Sequence, residues 1–175
     1  MTRGRRPGLG RTAAALTALA FFAAGCDGAP PEPKGVLAVE RAEDGGVRLL
    51  LADCPGYAAR DFSVLEDTEG GDTLSWSVHN GGAGAAVRDV RAFQDPPEGW
   101  RVTDDSLAAL REGVPYVATV NGFADGRNLR GRVPFTTADL AGLGDGQVLA
   151  WAGGDETVKT ARDAFLHADP DRCRP

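Results

Sequence analysis

The chain has 175 residues, 25 acidic against 19 basic, with a formal net charge of −6 and 42% apolar residues. An acidic balance of this kind argues against nucleic acid, and against an anionic membrane surface, as an electrostatic partner. The length accommodates one domain with a core of its own.

Residues 1–11 carry Arg3, Arg5, Arg6 and Arg11 and no acid; Thr12 to Ala24 is an apolar run, closed by Gly25-Cys26. A basic start, a short apolar stretch and small residues at its end make a secretory signal peptide, here residues 1–25. About a dozen apolar residues are too few to span ~30 Å of hydrocarbon as a helix. The ending Ala23-Ala24-Gly25-Cys26 resembles the bacterial lipobox, with Ala23 where Leu is usual. That resemblance implies diacylation of Cys26 (palmitate among its acyl chains) and a mature protein anchored to the outer face of the cytoplasmic membrane. The alternative is an ordinary signal peptide with an incidental cysteine. Arg5-Arg6 hints at twin-arginine export, although Pro7-Gly8-Leu9 suits that motif poorly. Loss of residues 1–25 would leave 15 bases against 25 acids, a net charge of −10. Residues 26–34 are then polar and Pro-rich, an extended and semi-rigid tether.

Residues 35–175 read as a β domain. Val36–Arg41 is a strand, Asp44-Gly45-Gly46 a turn, and Val47–Cys54 an apolar run ended by Pro55-Gly56. A short apolar run between turn residues predicts a buried strand. Asp61–Glu66 follows, then a turn at Glu69–Asp72. In Thr73–His79, Leu74, Trp76 and Val78 alternate with polar residues, so one face is core and the other wet. Asn80–Ala85 is a glycine-rich loop expected to be flexible. Arg88–Phe93 and Trp100–Thr103 are extended, separated by the hard stop Asp95-Pro96-Pro97-Glu98-Gly99.

Leu110, Gly113, Tyr116 and Val120 match the pattern L-x-x-G-x-x-Y-x-x-x-V and so resemble immunoglobulin-like and fibronectin type III domains. The resemblance implies a tyrosine corner, with the Tyr116 ring in the core and its hydroxyl bonded to backbone a few residues upstream. Val117–Phe123, Leu129–Thr136 and Gln147–Trp151 complete the strands. Short strands separated by turns predict an all-β antiparallel sandwich. Its core should include Leu49, Leu51, Trp76, Val78, Tyr116, Val120 and Phe135. Val158, Ala161, Phe165 and Leu166 fall at helical spacing behind Asp155, which predicts one C-terminal helix over 155–168.

With Cys26 lipidated, Cys54 and Cys173 remain, and two cysteines in an exported domain are most simply a disulfide. Free thiols are the alternative. The order of Cys54-Pro55-Gly56, Pro96-Pro97-Glu98-Gly99-Trp100 and a late helix before Cys173 is similar to small actinobacterial lipoproteins, a likeness that implies a class and no chemistry. The excess of Arg over Lys, with abundant Ala and Gly, fits a GC-rich genome.

Candidates for chemistry are few. His79 ends the clearest strand beside a glycine loop, but no G-x-S-x-G elbow presents a serine to it. His167 sits where a helix C-terminus would favour a cation. Asp67, Glu69 and Asp72, Asp104-Asp105, and Asp169 with Asp171 lack the frame of a calcium loop. Gly81, Gly82 and Gly84 imitate a phosphate loop without its Lys or its helix. Trp100 and Trp151 flank turns, where half-exposed rings could serve binding. The chain therefore reads as a lipid-anchored envelope module that binds or organises an envelope protein or polymer, without cofactor, metal or enzymatic activity. The alternative is an envelope hydrolase with an unrecognised site.

Overall fold

The structure, a computed structural model, describes residues 32–68, 73–82, 84, 86–167 and 170–174. The leader, Cys26 and most of the tether lie outside the described residues, as do the turn at 69–72 and Asp169.

Among the described residues ten strands form two antiparallel sheets, as the strand and turn spacing predicts. They are β1 (Leu37–Arg41), β2 (Val47–Leu51), β3 (Ala58–Glu66), β4 (Ser75–Asn80), β5 (Asp89–Arg91), β6 (Trp100–Asp105), β7 (Tyr116–Ala124), β8 (Arg127–Phe135), β9 (Gln147–Gly153) and β10 (Glu156–Ala161). The first sheet runs β10-β9-β1-β2-β5 and the second β6-β4-β3-β7-β8. The chain crosses between sheets from β2 to β3, from β4 to β5, from β5 to β6 and from β8 to β9, so the two layers are interlocked.

Alternation sets which side chains meet between the layers. Leu37, Val39, Leu49 and Leu51 from the first sheet face Phe62, Val64, Trp76, Val78, Val120 and Val133 from the second. All seven expected core residues are buried, with Leu49, Val78, Tyr116 and Val120 at 0% exposure. The sheets pinch together at β1 and β8. A Cβ at Gly131 would stand 2.7 Å from the Leu37 Cβ, so only glycine allows this approach. Lys34 N donates to Arg130 O at 2.8 Å beside it.

The tyrosine corner is present. Tyr116 Oη accepts from Arg111 N at 2.7 Å, and the Arg111 guanidinium pairs with the buried Glu66 carboxylate. We predict that Tyr116→Phe costs roughly 1 kcal/mol, one buried hydrogen bond. Thermal denaturation measures it, and an unchanged melting temperature would count against the corner as a stabilising device.

The C-terminal region corrects one expectation. Residues 155–168 do not form one helix. β10 occupies 156–161 and pairs with β9, and only Arg162–Leu166 is helical. Gly153 and Gly154, both at positive φ (126° and 53°), turn the chain into a hairpin. Thr157, Val158 and Thr160 then favour the strand. Val158, expected on the apolar stripe of a helix, is 50% exposed. A second short helix, α1 (Thr137–Ala141), is unexpected. Thr136 and Asp139 cap it reciprocally: Asp139 Oδ2 accepts from Thr136 N at 2.8 Å and Thr136 Oγ1 from Asp139 N at 3.2 Å.

The helix Arg162–Leu166, here α2, lies against β9 and β10 and buries Phe165 on the outer face of the first sheet. Leu166 O accepts from Asp53 N at 3.0 Å. Cys54 and Cys173 are joined, with Sγ atoms 2.04 Å apart, across a sequence separation of 119. The C-terminal segment thus covers a sheet face, and Ala38 and Leu50 on that face are buried as deeply as the inner core.

Candidate functional site

The strand directions divide the sandwich into two ends. At the proximal end lie Lys34, where the chain joins β8 at Gly131, and the Cys54–Cys173 disulfide. Arg172 also reaches Gly35 O there, at 3.4 Å. β1 carries the chain to the other, distal end, where the β1–β2 turn, Phe93, Leu110 and α1 gather. Several concavities open at the distal end, and Arg41 lines two of them.

The first is a cleft of about 480 Å³ between the β1–β2 turn, Leu143–Gln147 and Arg162. Its floor is Glu40, whose side chain is only 9% exposed although Glu40 stands at an alternating, nominally outward position of β1. The C-terminal segment buries it. Glu40 Oε1 accepts from Arg48 Nη1 at 2.9 Å, and Oε2 lies 3.2 Å from Arg162 Nε. That second contact is close enough for an ion pair but poorly aligned for a hydrogen bond, and the Nε atoms of both arginines are buried without an acceptor. One carboxylate thus holds two guanidiniums in place, with Asp89 3.7 Å from Arg48 Nε as a weaker third party.

The second concavity is an apolar groove of about 400 Å³ bordered by Val47, Phe93, Leu110 and Leu140. Phe93 has φ 63°, a left-handed conformation that costs a bulky residue roughly 1–2 kcal/mol. Its ring rests 5.8 Å from that of Trp76, and this packing holds it there.

The residues singled out in the sequence lie elsewhere. His79 is on the outer face of the second sheet, its Nδ1 2.5 Å from Asp61 Oδ1. Ser77 on the same face donates to Ser63 Oγ at 2.9 Å, not to His79. His167 is largely exposed, 3.8 Å from Asp53. Asp104 is engaged as a local cap: Ser75 Oγ and Ser106 N donate to it, and these bonds hold its carboxyl below the usual range. Asp171 pairs with Arg174 at 2.9 Å. Among the described residues no group of three or more metal-ligating side chains occurs.

Trp100 does not have the half-exposed ring expected of it. It is 6% exposed and packs 5.6 Å from Phe62, because Gly84 allows the 80–84 loop to lie directly on the indole. Asn80 Oδ1 accepts from Gly82 N and Gly84 N, both at 3.0 Å. Trp151 is half-buried, and its Nε1 donates to Gly154 O at 2.7 Å inside the β9–β10 turn. The two indoles stand on different sheets and form no joint surface.

The cleft escaped the sequence reading because Leu143–Gln147 and Arg162 are remote in sequence from the β1–β2 hairpin that carries Glu40 and Arg48. Only the alternating position of Glu40 in a strand marked it, and as a surface residue. No protein-family model, curated protein or solved structure matches the chain.

Proposed function

We propose that the protein is a lipid-anchored extracytoplasmic module that binds or organises another component of the cell envelope, and is not an enzyme. One observation carries this reading. The tether side of the domain and the two concavities lie at opposite ends of the sandwich, with Lys34 at Gly131 and Arg41 lining both clefts. A domain held through Cys26 would therefore turn its distal end away from the membrane. The tether adds reach, because eight extended residues at ~3.1 Å each span about 25 Å. The disulfide suits an oxidising compartment outside the cytoplasm. The mature chain's net charge of −10 favours a domain held clear of anionic headgroups. The lipobox-like leader and the likeness to small actinobacterial lipoproteins support the same class.

Substitution of the lipid acceptor tests the anchor. Cys26→Ser should move the protein from the membrane fraction to the medium, because two acyl chains suffice for stable attachment and none then remains. Retention of the variant in the membrane fraction would overturn the anchor.

A further inference from the structure

The cleft above Glu40 holds more charge than the fold uses. At its floor Glu40 fixes the guanidiniums of Arg48 and Arg162. Among the described residues the Arg162 Nε has no well-aligned acceptor. At its mouth stand Arg41, Glu43 and Asp145, all exposed. None of these three forms an ion pair within the described residues, although both signs line the same cleft. Charges of opposite sign sharing a cleft of about 480 Å³ without meeting each other are spaced for a ligand between them. That volume lies within the range of small-molecule sites, roughly 300–1,000 Å³.

We propose that this cleft binds a small zwitterion of amino-acid or dipeptide size. Its carboxylate goes to Arg41 and Arg162, whose planar forks suit a two-oxygen acceptor. Its ammonium goes to Glu43 and Asp145. Other ligand classes fit less well. A polyanion meets two carboxylates at the mouth, a like-charge cost that suppresses wrong partners. A simple amine meets the guanidiniums, and a simple carboxylic acid leaves Glu43 and Asp145 unused. Glu40 acts as a positioning residue: it holds Arg162 against β1 at the lining of the cleft. The proposal rests on the reading of the distal end as the binding end, and is independent of the lipid.

Calorimetric titration of the mature protein in detergent tests it, with glycine, alanine and alanyl-alanine as probes. At least one should bind with a Kd of about 1 mM or tighter. N-acetylation or C-terminal amidation of that probe should each weaken binding roughly tenfold, since each removes one charge. Arg41→Gln should weaken it similarly while leaving the ligand-free melting temperature unchanged, because Arg41 is exposed and unpaired. Equal binding of the capped probes, unaltered binding by Arg41→Gln, or no binding by any probe would overturn the proposal. A photoreactive residue in place of Glu43 separates this failure from failure of the wider reading. Crosslinking to an envelope component with no zwitterion bound would overturn the cleft ligand and leave the distal binding end standing. No crosslink and no bound zwitterion would overturn both.

Discussion

Replacing Cys54 and Cys173 together by alanine is expected to destabilise the domain by about 4 kcal/mol and to lower its melting temperature by ~10–15 °C. The bond closes a loop of sequence separation 119, so it removes a large share of the unfolded chain's freedom. The chain-entropy account gives about 5 kcal/mol for such a loop, reduced by residual structure in the unfolded state. The native contribution is local. Cys54 lies just past the end of β2, after Ala52 and Asp53, and Cys173 ends the short 3-10 turn Pro170–Cys173. Between them α2 contributes five helical residues, far too few to persist alone. Without the bond, the segment is held by Phe165, the Leu166–Asp53 backbone bond and the Arg162–Glu40 pair. Trypsin should therefore cut the double variant at Arg162 much faster than the parent, while β10, paired along its length with β9, stays protected. A melting temperature within about 2 °C of the parent, with no new cleavage, would show that the segment docks without its staple.

Much of this architecture is legible in the residues, and the failures have physical causes. Trp76 and Val78 alternate with polar neighbours because one face of β4 is wet, and a period of two survives any tertiary context. Tyr116 is readable because its spacing from Leu110 and Gly113 reports a specific hydrogen bond. The Cys54–Cys173 bond follows from counting. At 155–168 two signals overlap: Val158, Ala161 and Phe165 satisfy the helical period, while Gly153-Gly154 and three β-branched residues specify a hairpin and its second strand. The hairpin wins because β9 offers β10 a full ladder of backbone partners. The capping box of Thr136 and Asp139 marked α1, but one turn of helix carries too little periodicity to stand out. The cleft was not legible at all. Glu40 and Arg48 are cross-strand partners in the β1–β2 hairpin, and Arg162 joins them only when the C-terminal segment folds over the outer face of the first sheet. Burial of that face turns an ordinary alternating strand position into the floor of a site.

The same convergence predicts that Glu40→Ala is the most damaging single substitution of a charged residue. In the parent, Glu40 is 9% exposed at its side chain, Arg48 22% and Arg162 39%. Breaking a fully buried ion pair from one side typically costs about 3–5 kcal/mol, because the partner charge is left uncompensated. Arg162 can swing towards water and escape most of that penalty. Arg48 has less freedom and retains only Asp89, 3.7 Å from its Nε. The expected loss is therefore about 2–3 kcal/mol, below the fully buried figure. Glu40→Gln keeps the volume and one acceptor and should lose roughly half as much. Replacing all three residues by apolar side chains of similar volume should restore stability close to that of the parent, since the desolvation cost of the charges disappears with them. Chemical denaturation of the three variants measures the series. A loss for Glu40→Ala below about 0.5 kcal/mol would place the triad among surface ion pairs of negligible weight. A triple variant as unstable as Glu40→Ala would mean that the site is held by shape and not by charge. The predicted order, with Glu40→Ala lowest, Glu40→Gln between and the apolar triple near the parent, requires that the carboxylate serve chiefly to compensate two partly buried guanidiniums.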